Sequence, residues 1–287
     1  MTDDARAIVR GTRTATWIML PAAALLARVS PAAARALAGF AIGTIGIAHG
    51  ASDDRILARL LPRFPGGLAA ISAAYGAATI GVAAAAWRAP ATASRALSLL
   101  SWYHFGSGDA SFARTASARA RSLLDGALRG AIPLCGPDTG RRTVMCTLAA
   151  AAVLERIARG DVAGAADLLV PAGVLAAVPA PLGFAAYFGL WHAPRHLAIV
   201  TARAEQGGSF GRRSMQFAAE SAGNTALAAA FAGLAFALAR PAERRRVLVA
   251  LTLGVTVPHQ AAVWYAERRA RSSDDRTRGG ASESADR

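Results

Sequence analysis

Residues 68–87 form an unbroken run of twenty residues without a charged side chain. As an α-helix such a run is about 30 Å long, the thickness of a bilayer's hydrocarbon core. Inside that core no water satisfies the backbone, so only helices and closed barrels can cross it. No stretch of the chain alternates with period two, which argues against a barrel. Further apolar segments cover residues 15–27, 31–48, 96–108, 122–134, 143–154, 168–179, 182–200, 216–238 and 247–266. Pro31 is well placed to open the second of these as a helix. The segment 122–134 is weaker, broken by Asp125, Arg129 and Pro133. The expected fold is an all-α, polytopic membrane helical bundle of roughly eight to ten apolar helices.

The charge pattern agrees with that class. Hydrophobic residues make up 54 % of the chain and the mean hydropathy is +0.32. The formal net charge is +14, carried by arginine with no lysine. The arginines do not form one stripe, as a nucleic-acid footprint would. They cluster between apolar runs, as in the loops of a membrane protein, so no nucleic-acid partner is expected. Because most loops carry arginine, the positive-inside rule does not fix an orientation. The charged start followed by residues 15–27 reads as a retained first membrane helix, since more apolar segments follow. Residues 1–270 are expected to form one membrane domain, and 271–287 a disordered polar tail. The expected location is the cell membrane, with multiple passes. Cys135 and Cys146 are too few for a disulfide framework, and Cys146 is expected to pack as a small hydrophobe.

Chemistry is concentrated in five histidines, all in or beside apolar stretches: His49, His104, His192, His196 and His259. His192 and His196 are four apart, so on a helix they share a face at about 5–6 Å between Cβ atoms, and both can reach one metal ion. Ionisable groups in membrane segments are costly and usually functional. The residue after His192 is Ala193 rather than the glutamate base of a zinc peptidase. Neutral imidazoles suit zinc, copper, iron and nickel. A histidine-only site that keeps open positions favours Fe(2+) with a small ligand such as dioxygen.

Asp53 and Asp109 follow His49 and His104 at four and five residues. Each is either a helix cap or a carboxylate that accepts the far N–H of a ligating imidazole and fixes its tautomer. Arg195, three residues after His192, either pairs with one of these aspartates or with Glu220, or snorkels to the interface. Glu220 and Asn224 share a face of one apolar run. Trp102, Tyr103, Phe105, Tyr187, Phe188, Trp191, Trp264 and Tyr265 lie close in sequence to the histidines. Some belong to interface belts, and others would line a slot for a long apolar substrate. The glycines after His49 and His104 permit close helix approach or a helix end. Gly106-Ser107-Gly108 is no phosphate loop, because no strand precedes it.

Four motifs stand in order: His49-Gly50-Ala51-Ser52-Asp53, His104-Phe105-Gly106-Ser107-Gly108-Asp109, Trp191-His192-Ala193-Pro194-Arg195-His196 and Pro258-His259. This set resembles the Brp/Blh family of membrane-bound bacterial and archaeal β-carotene 15,15'-dioxygenases. The resemblance covers roughly residues 35–268. A departure is Ala48, where members of that family often carry proline. The resemblance implies cleavage of the central double bond of β-carotene by dioxygen to give two molecules of retinal. It maps the family's iron ligands onto His49, His104, His192 and His196. It leaves His259 as a further member of the site, a supporting residue or a substrate contact. It also implies a functional link to a retinal-binding rhodopsin.

Two other classes are weighed against this one. A membrane di-iron hydroxylase or desaturase typically needs about eight histidines in clustered boxes, and the chain has five. A haem- or metal-binding membrane protein without enzymatic activity is the non-enzyme alternative; haem binding would leave two or more of the five histidines idle. A transporter would show internal repeats and broken-helix pairs, which the sequence lacks.

Overall fold

The computed structural model describes residues 3–116, 123–134, 139–203 and 210–285. Every element among the described residues is helical. In chain order they are α1 (Asp3–Val29), α2 (Pro31–Ala41), α3 (Asp53–Leu60), α4 (Gly67–Arg88), α5 (Pro90–Ala116), α6 (Leu123–Ala131) and α7 (Thr139–Ala158). They continue with α8 (Val162–Ala177), α9 (Ala180–Tyr187), α10 (Ala193–Arg203), α11 (Phe210–Leu238) and α12 (Arg244–Ala285). Two π-helical segments, Ile42–Gly46 and Phe188–His192, follow α2 and α9. α12 continues through residues 271–285, where composition predicts a disordered tail. By backbone contacts the chain divides into two compact units. The first is Met1–His49 with Ser98–Ala230, the second Gly50–Leu97 with Phe231–Arg287.

Three helical stretches among the described residues are long and apolar enough to cross a bilayer: Gly67–Arg88, Gly211–Leu238 and Pro241–Arg269. This fits a membrane protein. It is fewer than the eight to ten helices that apolar segments alone suggest, and the shortfall has a physical reason. Several apolar runs lie in helices that are too short, such as α8, or that also carry charges, such as α1 and α7. Outward faces agree with lipid contact. Ile80 on α4 and Leu227 on α11 are 67 % and 71 % exposed, a placement that costs free energy in water but not in lipid. Cys146, expected to be packed, is likewise exposed, on α7.

The core of the first unit forms where α1, α2, α8 and α9 meet. Leu20, Val174, Tyr187, Leu190 and Trp191 are buried there. Local signals set the helix starts. Pro31 is the first residue of α2, with Ser30 Oγ accepting from Ala33 N at 3.4 Å. Asp161 caps α8 by accepting from Gly164 N at 3.0 Å. Glycines permit the closest crossings. A Cβ on Gly106 of α5 would overlap the Gly126 carbonyl of α6, and one on Gly130 would overlap the Trp102 carbonyl. Gly126 and Gly130 are thus a small-xxx-small pair lying against α5. Trp102 Nε1 seals the crossing by donating to Ala127 O at 2.7 Å.

In the second unit α12 packs along α4, with α3 beside them. They approach closely at Gly254, where a Cβ would lie 2.9 Å from both Thr79 O and Ala83 Cβ. Arg246 joins the start of α12 to the end of α4. Its Nε donates to Trp87 O at 2.7 Å, and its guanidinium lies 4.2 Å above the Trp87 ring.

The α5–α6 crossing has no space for added volume. Gly106→Val should lower stability by about 1–3 kcal/mol through forced separation of the helices. Gly76→Ala, where a Cβ meets nothing within 4 Å, should be neutral or stabilising by up to about 1 kcal/mol. Thermal unfolding of the two variants in the same detergent checks the contrast.

Candidate metal centre

Four of the five histidines belong to the first unit, and their rings converge. His49 follows the π-helical segment Ile42–Gly46, His104 lies in α5, His192 ends the segment Phe188–His192, and His196 is one turn further, in α10. The His49 centroid lies 6.2 Å from that of His104, 5.9 Å from His192 and 5.5 Å from His196. His104 and His192 are closer, at 4.9 Å. His49, His104 and His192 are buried at 7 %, 4 % and 0 % exposure, so only His196 among the four is partly exposed.

Hydrogen bonds decide which ring nitrogens are available. His192 Nδ1 lies 3.3 Å from Asp109 Oδ1. A carboxylate offers no proton, so the imidazole donates from Nδ1 and the neutral ring keeps a lone pair on Nε2. That Nε2 faces His104 Nε2 at 3.1 Å. His49 Nδ1 donates to the carbonyl of Gly46, one of the last carbonyls of its helix, which lack intrahelical partners. Its Nε2 therefore also carries a lone pair. His49 and His104 offer ring nitrogens within 4.8 Å of one another. Buried, converging imidazoles, two of them held through Nδ1, are a donor set that fits a divalent transition metal.

Asp109 organises this centre. It is 3 % exposed and accepts from three side chains besides any backbone contact. Tyr187 OH donates to Oδ2 at 3.0 Å, Trp191 Nε1 to Oδ2 at 3.1 Å, and His192 Nδ1 to Oδ1. The glycine beside it has a steric reason, since a Cβ on Gly108 would lie 3.0 Å from His192 Cε1. The two π-helical segments meet at similar contacts. A Cβ on Gly46 would lie 2.8 Å from Phe188 Cε1, and one on Gly189 would lie 2.7 Å from Ala41 Cβ.

Arg195 does not snorkel. It is 1 % exposed, and its partner is neither Asp53 nor Glu220. Its Nη2 donates to Asp167 Oδ1 at 2.9 Å, and its Nε to Thr16 Oγ1 at 3.0 Å. The guanidinium lies 3.5 Å from the centroid of the Trp191 ring and 4.7 Å from that of Phe112. Asp167 also accepts from Arg13 Nε at 3.1 Å and from Trp17 Nε1 at 2.9 Å, with Arg129 Nη1 at 4.0 Å. Arg129 Nε continues to Asp125 at 2.9 Å, and Asp125 also accepts from Arg156. Asp167, Thr16, Arg13 and Arg129 were not singled out from the sequence. The readable signal was an aspartate in an apolar helix, where an unpaired charge is too costly to persist.

In the second unit Asp53 and His259 pair directly. His259 Nδ1 donates to Asp53 Oδ2 at 2.7 Å, and Tyr75 OH donates to the same oxygen at 2.7 Å. Both Asp53 and His259 are buried, at 1 % and 4 % exposure. Gly50 makes room, since a Cβ there would lie 3.3 Å from His259 Nδ1. The neighbouring Asp54 accepts from Ser72 Oγ at 2.6 Å.

The remaining sequence candidates separate by position. Phe105 packs edge-on to His192 at 4.8 Å between centroids. Phe188 packs edge-on to His49 at 5.2 Å and lies parallel to Phe184, a residue not anticipated, at 6.3 Å and 1°. Trp102 and Tyr103 are 42 % and 52 % exposed on α5. Glu220 accepts from Gln216 Nε2 of its own helix at 3.2 Å.

Neither the curated proteins nor the solved structures contain a match to this chain. A family model described as "Beta-carotene 15,15'-dioxygenase" matches residues 40–143 and 139–265, a span that contains all five histidines.

Asp109→Asn keeps the size of the side chain and removes its charge. It should weaken metal binding by about 10- to 100-fold, read as the midpoint of a competition titration with a chromophoric chelator. His49→Ala should abolish stoichiometric binding in the same assay.

Proposed function

The chain belongs to the beta-carotene 15,15'-dioxygenase family, and we propose that its histidine centre cleaves the central double bond of β-carotene with dioxygen, releasing two molecules of retinal. The observation that carries this reading is the convergence of buried imidazoles with orienting partners on Nδ1. His49, His104, His192 and His196 would hold Fe(2+), which supplies the redox chemistry toward dioxygen. The balance needs no external reductant. The C15=C15' bond breaks, and each carbon takes one oxygen atom of the dioxygen molecule.

The chain's own residues do the rest. Asp109 accepts from His192 Nδ1, which fixes the ring's orientation and turns Nε2 toward the centre. Gly46 O does the same for His49. Phe105, Phe184 and Phe188 form an aromatic wall beside the histidines, suited to a flat polyene, and they keep bulk water from it. Phe184 is 37 % exposed, so the wall reaches the surface of its unit, where a lipid-dissolved substrate would enter. Within the second unit, Asp53 Oδ2 accepts from both His259 Nδ1 and Tyr75 OH.

The setting that suits this substrate is a multi-pass protein of the cell membrane, embedded over residues 1–270. Three helices among the described residues are long and apolar enough to span a membrane. Retinal leaving such a site is the chromophore of rhodopsin-type proteins, which makes one of these a functional partner.

Expression in a β-carotene-accumulating bacterium tests the reaction. Pigment extracts should lose β-carotene and gain retinal, while His192→Ala and His196→Ala should abolish the conversion and lower bound iron. Persistence of β-carotene beside iron-loaded wild-type protein would exclude this substrate.

A further inference from the structure

Arg195 touches none of the histidines through a hydrogen bond, yet it is among the most deeply buried side chains of the chain. Three observations connect it to the metal centre. Its guanidinium lies 3.5 Å from the centroid of the Trp191 ring. The Trp191 indole N–H donates to Asp109 Oδ2 at 3.1 Å. The other oxygen of Asp109 accepts from His192 Nδ1. We propose that Arg195 is a positioning residue, which acts on the His192 imidazole through Trp191 and Asp109, and that Asp167 holds Arg195 in place for this purpose. The inference rests on the metal-centre reading above and adds an outer layer to it.

The physics runs outward from the ring. A cation over an aromatic face is attracted to its electron density, most strongly for tryptophan and when desolvated. The same field draws density from the indole and makes its N–H a stronger donor toward Asp109. Stacking also fixes the plane of the indole, and with it the direction of that N–H. An arginine fork is needed for this geometry, because Nε and Nη2 are held on separate acceptors, Thr16 and Asp167, while the flat face stays on the ring. Lysine carries the charge but neither the plane nor the fork. Asp167 suits the holding role because Arg13 fixes its Oδ2 and Trp17 donates to Oδ1, the oxygen that also accepts from Arg195.

This also accounts for the order of residues in the motif. Trp191, His192 and Arg195 lie within five positions, so one helical stretch delivers the ligand, the ring that supports its carboxylate, and the cation that orients the ring.

The test uses full-length protein in detergent, loaded with Co(II) as a spectroscopic probe. Wild type, Arg195→Met, Arg195→Lys, Trp191→Phe and Asp109→Asn are compared by cobalt visible absorption and chelator-competition affinity. Arg195→Met leaves Asp167 paired with Arg13 and should fold. Trp191→Phe keeps an aromatic face under the guanidinium and removes the N–H together with the five-membered ring, as a second probe of the same link. Both should shift the cobalt bands and weaken binding by about tenfold, with Arg195→Lys failing to restore the wild-type spectrum. In the Asp109→Asn background, Arg195→Met should have little further effect, because the path is already cut.

Unchanged cobalt spectra and affinity in Arg195→Met and Trp191→Phe would overturn the inference while leaving the metal centre standing. Full additivity of Arg195→Met with Asp109→Asn would do the same, since it marks a purely structural role. Wild-type protein that binds no cobalt or iron would overturn the metal-centre reading and this inference with it.

Discussion

A carboxylate taken out of water must be repaid in hydrogen bonds or opposite charge, and two such groups dictate the interior of the first unit. Asp109 receives three side-chain donors, and Asp167 is surrounded by arginines and an indole. Removing one partner of a buried ionic pair is strongly destabilising, while the intact pair adds little net stability. Such groups are therefore weak evidence for stability and better evidence for a structure that must hold one geometry. Here that geometry belongs to the imidazole of His192, with Asp109 in direct contact and Asp167 beyond it through Arg195 and Trp191.

The same arrangement recurs in the second unit at smaller scale. Asp53 takes the place of Asp109, His259 that of His192, and Tyr75 that of Tyr187. In both units a tyrosine hydroxyl and an imidazole share one carboxylate, and a glycine clears space for the imidazole ring. Neutral histidine bound to an anionic acceptor through Nδ1 is a way to present an unprotonated Nε2 in a dry interior without a net charge on the ring.

Much of this was readable from residue type. The all-helical class followed from apolar runs without period two, and the histidines drew attention because ionisable groups are rare in such runs. That an aspartate would hold a histidine was also an available reading, and both Asp53 and Asp109 do so. What the sequence does not encode locally is partner identity. Asp53 follows His49 in the chain, but the imidazole on it is that of His259, 206 positions away. Asp109 follows His104 and binds His192. Arg195 found Asp167 because side chains pair by position in the fold. The π-helical segments were invisible for a different reason. They are one-residue adjustments of helical winding, with no compositional mark.

Those segments have a consequence for anyone who treats the tryptophan-histidine-arginine-histidine string as a portable cassette. A π turn amounts to one residue inserted into an α-helix, and the residues after it are rotated by about 100° relative to an uninterrupted helix. Trp191 and His192 lie inside such a segment and Arg195 and His196 just beyond it. Its opposite number, Ile42–Gly46, precedes His49 and touches it through Gly46 and Gly189. The string has its meaning only in the phase set upstream. Moved into a regular helix, the same six letters would aim the histidines and the arginine at different neighbours.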